Sequence, residues 1–473
     1  MHVKASWASG KACPVGKSHL GGEISTKSAS TRWSLPPPLL TMMQLKSKQT
    51  GLRRLARLFT NGAQLGQAAW EVGHPPPEGA ERRKLPLGMT IKNSIGKNKL
   101  LYLMKSMQLV NLTEKETLNT VSTMLSDYTN EMTASEMGFI LHTFCKLKFV
   151  KYSLCRKVIK SLLSRKPVFG DMRTLTQLLI DLHKMGSLDL TVLTFLTQHY
   201  LRGSLHRFSL FDLAMILHVY NKHSYNDGET VREICGVIEG AFLPIVAQDK
   251  GVLTTILLSL SMLQLNRDLY VHLLRQHVHN RYAQFEAKYL CNVVYSVALW
   301  LVGDCERADL IKGESTHLLG GPEVDVLREV LRDVTALLLR NVSVLKNEEL
   351  KQAHIALYLL RELGGDCEQA IDQIERKKIK NTLTVSKMQK QLEKLLKEMG
   401  LKADREFPVG PYVLDFALQK KRACIEVNGF THYYTFGGEL NAKSRLKYFI
   451  LRRLHWKVLT VEYTSWKNKS KEG

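Results

Sequence analysis

From about residue 98 to residue 400, apolar side chains recur three and four positions apart and proline is nearly absent. That spacing places them on one face of successive helices. Five stretches line up: Phe139–Leu147 (FILHTFCKL), Leu178–Gly186 (LLIDLHKMG), Met215–His223 (MILHVYNKH), Thr255–Leu263 (TILLSLSML) and Asn292–Trp300 (NVVYSVALW). Their starts lie about 38 residues apart, and each is followed by a second periodic stretch, such as Leu154–Leu163 or Leu269–Val278. The repeating unit is helix, turn, helix. One such unit cannot bury its apolar face alone, so the pattern predicts a stacked α-solenoid of about seven helix pairs. His142, Asp181, His218 and Tyr295 are expected to form one column along it. Cys305–Glu323, rich in glycine and charge, reads as an inserted loop, and Ser386–Met399 as a solvated amphipathic helix.

Past Leu401 the period changes from 3.6 to 2. Tyr412–Leu418 (YVLDFAL) and Ala423–Gly429 (ACIEVNG) alternate and are rich in β-formers. With Lys420-Lys421 as the loop, positions summing to 841 face each other, which sets Asp415 opposite Glu426. Two opposed carboxylates repel, so a divalent cation, a basic group or a raised pKa is needed to offset them. Ala442–Leu454 reads as a helix burying Leu446, Phe449, Ile450 and Leu454, and Lys457–Tyr463 reads as a buried strand. The expected boundaries are thus a leader and linker over 1–97, a helical-repeat array over 98–400 and a small α/β domain over 401–473.

Charge narrows the partner. Lys and Arg number 67 against 44 Asp and Glu, a net charge of +23 over 473 residues. Such an excess favours a polyanion. Residues Leu401–Gly473 hold fourteen Lys/Arg and seven Asp/Glu, interleaved with aromatics, as single-stranded nucleic acid requires. The predicted nucleic-acid contacts are Lys420, Lys421, Arg422, Tyr433, Tyr434, Lys443, Lys447 and Arg452. Between Glu23 and Glu71 there is no acidic residue, while Arg53, Arg54 and Arg57 interleave with Leu52, Leu55 and Leu58. That is the composition of an organellar transit peptide, with Met42-Met43 as an alternative start to Met1. Gly10–Ser18 (GKACPVGKS) has one residue too many between its glycines for a P-loop. None of the eight cysteines forms a C-x-x-C pair, which argues against a zinc site or a disulfide framework. No apolar run reaches the ~20 residues of a membrane span.

The segment VGPYVLDFAL…ACIEVNGFTHYY…LKYFILRRLHWKVLTVEYTSW resembles the RAP domain, over Phe407 to about Trp466. RAP domains follow helical repeats in the Fas-activated kinase-like and octotricopeptide-repeat proteins, which act on mitochondrial or plastid RNA. The resemblance implies a restriction-endonuclease-like α/β fold, a location in the mitochondrial matrix (alternatively a plastid or apicoplast), and a partner in single-stranded organellar mRNA or rRNA. It implies a role in processing, stability or translation, without a cofactor. A second outcome is an Mg²⁺-dependent RNA endonuclease with Asp415 and Glu426 as metal ligands and His432 as base or further ligand. Asn428 stands where that fold carries its lysine, which weighs against catalysis; Lys443 is a candidate displaced cation. A third outcome is a helical adaptor for an organellar ribosome or processing enzyme.

Overall fold

The computed structural model describes residues 96–312, 322–377 and 385–469. The leader expected over 1–97 lies almost wholly outside these residues. Seven helix pairs form the array: α1 (Lys97–Leu109) with α2 (Lys115–Asp127), α3 (Ala134–Lys146) with α4 (Tyr152–Arg165), α5 (Met172–Lys184) with α6 (Leu190–Leu196), and α7 (Leu210–Lys222) with α8 (Gly228–Val237). They continue with α9 (Lys250–Leu263) and α10 (Arg267–His277), α11 (Ala287–Lys312) and α12 (Pro322–Leu339), and α13 (Asn347–Glu362) and α14 (Glu368–Glu375).

The period is set by helix caps. Thr133, Asp171, Ser209 and Asp249 each accept a backbone N–H of the helix that follows, and Thr133 and Ser209 form full capping boxes with Glu136 and Asp212. The first three caps lie 38 residues apart and α3, α5 and α7 are each 13 residues long, so the first helices of successive pairs superpose in register. These first helices pack side by side as one layer from α1 to α13. Polar links bridge neighbours one repeat apart: His142 Nδ1 to Asp181 Oδ2 at 3.0 Å, Arg173 to Asp212 at 3.1 Å, and Asn221 to Ser259 at 3.4 Å. Counting from the caps, His142, Ile180 and His218 are equivalent, so Asp181 stands one place off the expected column. It is buried and reaches back to His142.

The C-terminal unit is a four-stranded sheet in the order β1 (Asp404–Val409), β2 (Tyr412–Leu418), β3 (Ala423–Asn428), β4 (Lys457–Glu462). The first three strands are antiparallel, and β4 runs parallel to β3. The helix α16 (Ala442–Arg453) makes the crossover between β3 and β4. It covers one face of the sheet with Tyr448 and Leu451, against Leu414, Ala417 and Cys424. The other face, Phe416, Ile425 and Val427, is covered by Leu392 and Leu396 of α15 (Lys387–Glu398). So α15 is a layer of the α/β unit, which begins near Ser386 rather than at 401. A short helix, α17 (Tyr463–Lys469), follows β4, and Trp466 donates to Gln391 on α15 at 3.0 Å.

Two other expectations change. Residues Cys305–Lys312 continue α11 as helix, so the inserted loop is shorter than expected. Strand β4 is an exposed edge: only Val458 and Val461 turn inward, and Leu459 is 54% exposed. Among the described residues the cysteines are free, and no helix is long and apolar enough to cross a membrane.

Candidate nucleic-acid interface

The α/β unit is seated on the layer of first helices. Leu446, Phe449 and Ile450 of α16 join the apolar core of the array, while the opposite side of the same helix packs on the sheet. Polar contacts fix the seat. The Tyr434 hydroxyl donates to Met262 O at 2.7 Å and accepts from Ala442 N at 3.0 Å. Asn441, the N-cap of α16, donates to Ser224 Oγ at 3.0 Å just past the end of α7, and Thr435 N donates to Ser224 O at 2.9 Å. Asn226 both donates to and accepts from the Phe436 backbone, and Arg445 donates to Glu306 at 2.8 Å. Gly410 turns at φ +52°, and a Cβ there would stand 2.8 Å from the Tyr358 ring of α13.

The hairpin register is as expected: Phe416 faces Ile425, and Leu418 faces Ala423. The connection is a 3₁₀ turn over Gln419–Lys421, closed by Arg422 in the left-handed region at φ +43°. On the other side of β2 the pairing skips Glu406 and Asp415, and Glu406 is itself left-handed at φ +51°. The alternation of β2 therefore slips at Asp415. Leu414 faces α16 and Phe416 faces α15. The Asp415 carboxylate accepts the Val427 N–H at 2.7 Å and the Gln389 amide at 2.8 Å. It does the work of a ladder carbonyl at the point where the ladder breaks.

Glu426 is 1% exposed. Its Oε2 accepts from Lys447 Nζ at 2.5 Å, and Lys447 also donates to Val413 O at 3.0 Å. Burial pushes the Glu426 carboxyl above the usual range, Lys447 opposes this, and Asp415 adds to it. The β2–β3 ladder stops at Phe416–Ile425, so Asp415 is not paired with Glu426 across it; Lys447 and a raised pKa offset the buried Glu426 carboxyl. Glu426 Oε1 has no hydrogen-bond partner among the described residues. As arranged, the pair does not offer a divalent cation a fitting set of oxygens: Lys447 already stands at Glu426, and both Asp415 oxygens are engaged. Among the described residues no three His, Cys, Asp or Glu side chains converge on such an ion. The cation that reaches Glu426 is Lys447, one helical turn beyond Lys443. Asn428 is buried, accepts from Tyr448 at 2.5 Å and donates to Tyr433 at 3.4 Å. His432 Nδ1 pairs with Ser444 Oγ at 3.2 Å; burial lowers its pKa, and Lys447 and Lys443 lower it further.

The eight expected contacts divide between two ends of the domain. Lys420, Lys421, Arg422 and Arg452 are exposed at the hairpin end. Lys443 lies at the other end, towards the array, and Tyr433 is held within the α/β unit by Asn428 and Tyr463. Nine helical residues separate Lys443 from Arg452, about 14 Å along the axis. Lys447 is committed to Glu426, and Tyr434 is buried as a docking residue. Lys443 is reachable by solvent yet sits in the angle between α16 and the array. Its crowded surroundings lower its pKa, as do Lys222, Lys351 and Lys447, against the pull of Glu348.

Around that angle stand further groups that sequence reasoning did not single out: the cations Lys184 and Lys222, and the imidazoles His183 and His223, whose pKa values are lowered, first by burial. His183 Nδ1 lies 3.0 Å from His223 Nε2. The signal was present in the sequence as a lysine closing each of α3, α5 and α7. The basic, concave joint between helical layer and α/β unit is suited to a phosphate backbone. The model of the RAP domain matches residues 425–472, from the middle of β3 through α16 and β4. RAP domains are generally RNA-binding, and this chain carries a RAP domain at its C-terminus, after a helical region.

Proposed function

We propose that this protein binds single-stranded RNA in an organelle, the mitochondrial matrix in the first instance, and acts there on the processing, stability or translation of transcripts or rRNA. The observation that carries the reading is the RAP domain docked through α16 onto the layer of first helices, with Lys443 facing Lys222 across the joint. That joint makes one continuous basic surface of the two parts. The acid-free, arginine-rich stretch before residue 71 supports import. The committed state of Glu426 and Asp415 favours binding over cleavage.

Ultraviolet crosslinking of the tagged protein in cells, followed by sequencing of the attached RNA, tests this. One or a few organellar transcripts, with reads gathered at defined positions, is the expected result. Recovery of only scattered cytosolic RNA would overturn the organellar role, and recovery of none would overturn RNA binding.

A further inference from the structure

The helices α3, α5 and α7 are equal in length, start one residue after equivalent caps, and end on Lys146, Lys184 and Lys222. These lysines are successive members of one structural position, 38 residues apart. All three are exposed, and none is ion-paired among the described residues. Neighbouring helices of the layer lie about 8–10 Å apart, which is therefore the rung spacing. The His183–His223 contact brings the last turns of α5 and α7 together and with them Lys184 and Lys222.

The face these lysines occupy is the face that carries the RAP domain. Lys146 and Lys222 lie one turn after His142 and His218, on the same side of their helices. The equivalent of His142 and His218 on α11 is Tyr295, which is buried and neighbours Tyr412 of β2. On α9 the rung position is Met262, and there Tyr434 of the RAP domain covers the backbone by bonding Met262 O. The row of lysines therefore stops where the domain begins. Lys443, on the first turn of α16, takes over beside Lys222.

We propose that Lys146, Lys184, Lys222 and Lys443 form a single track for the phosphates of single-stranded RNA, running along the C-terminal ends of the first helices and onto the RAP domain. This rests on the RNA-binding reading above and adds the path. The competing account is local: a lysine in the last turn of a helix also complements the helix dipole. That account predicts no effect on RNA.

The test uses the full chain and a fluorescein-labelled, unstructured oligouridylate, with affinity followed against salt. The variants are Lys146→Gln, Lys184→Gln and Lys222→Gln, singly and together. The control triple is Lys387→Gln, Lys390→Gln and Lys402→Gln, exposed residues on or next to α15, across the sheet from α16. Each phosphate contact contributes about 0.7 to the log–log salt slope on single strands. The track predicts a slope shallower by about 2 for the triple variant, by about 0.7 for each single variant, and unchanged for the control. Wild-type binding with the same slope in all variants would overturn the track and leave RNA binding standing. No binding by the wild type would overturn both. If the triple variant fails to fold, the single variants decide the matter.

Discussion

The ammonium of Lys447 on α16 meets the buried carboxylate of Glu426 on β3 at 2.5 Å, which ties the helix that docks on the array to the central strand of the sheet. Sheet, helix and array are thereby one mechanical unit. Removing one partner of a buried pair leaves an uncompensated charge, at a cost of about 3–5 kcal/mol. Lys447→Met should lower the unfolding free energy measured in urea by that amount. The double variant with Glu426→Gln should recover much of it. A loss under about 1 kcal/mol in the single variant would show that the pair is not buried as described.

Gly410 marks the closest approach of the β1–β2 turn to the array. Ala at φ +52° costs about 1–2 kcal/mol in backbone energy alone. The Tyr358 ring 2.8 Å from the new Cβ adds to it. Gly410→Ala should therefore destabilise by more than the backbone cost in the wild type, and by the backbone cost only when Tyr358→Leu is present. Additive effects in urea unfolding would disprove the contact.

Tyr434 is a clamp rather than a stacking platform. Its hydroxyl satisfies Met262 O and Ala442 N. Tyr434→Phe should cost about 1–3 kcal/mol, since both partners are left unpaired in a buried joint. It should also speed hydrogen exchange at the start of α16, which mass spectrometry can read. Unchanged exchange there would remove Tyr434 from the joint.

The histidines of the joint give stability a pH dependence. Burial lowers the His218 pKa to about 4, with Lys222, His183 and Lys184 adding to it. The folded protein binds fewer protons than the unfolded chain between that value and the ordinary 6.5. The contribution is therefore full above pH 6.5 and is lost as pH falls towards 4, by at most ~3 kcal/mol. His183, His223 and His432 shift in the same direction. Unfolding free energies at pH 7.5 and 5.0 should show the fall, and His218→Gln should lessen it; an equal fall in the variant would contradict the assignment.

At the hairpin end, Lys420, Lys421 and Arg422 stand clear of the array. Reversing all three to Glu should weaken RNA binding across all sequences. The effect should add to that of the lysines at the joint, because the two ends are too far apart to couple. Unchanged affinity would remove the hairpin from the interface.

Much of the fold was legible because it depends on local chemistry. The caps at Thr133, Asp171 and Ser209 and the apolar spacing after them set the repeat. The turn around Lys420-Lys421 set the hairpin register. What stayed hidden depends on which element covers which. The α16 run of Leu446, Tyr448, Phe449, Ile450 and Leu451 is apolar on two sides, which a one-sided reading of the helix missed; its second side docks on the array. The Lys-rich surface of α15 masked Leu392 and Leu396, which cover the sheet. Val458 and Leu459 look alike in sequence, yet only one faces inward at the edge. The partner of Glu426 lies 21 residues away on a helix, beyond the reach of any strand pattern.

The central claim, a protein that holds single-stranded RNA across the joint between array and RAP domain, is tested most directly by the salt dependence of oligouridylate binding to the full chain. Six or more phosphate contacts predict a log–log slope of about −4 or steeper. A slope near zero, or no binding at low salt, would contradict it.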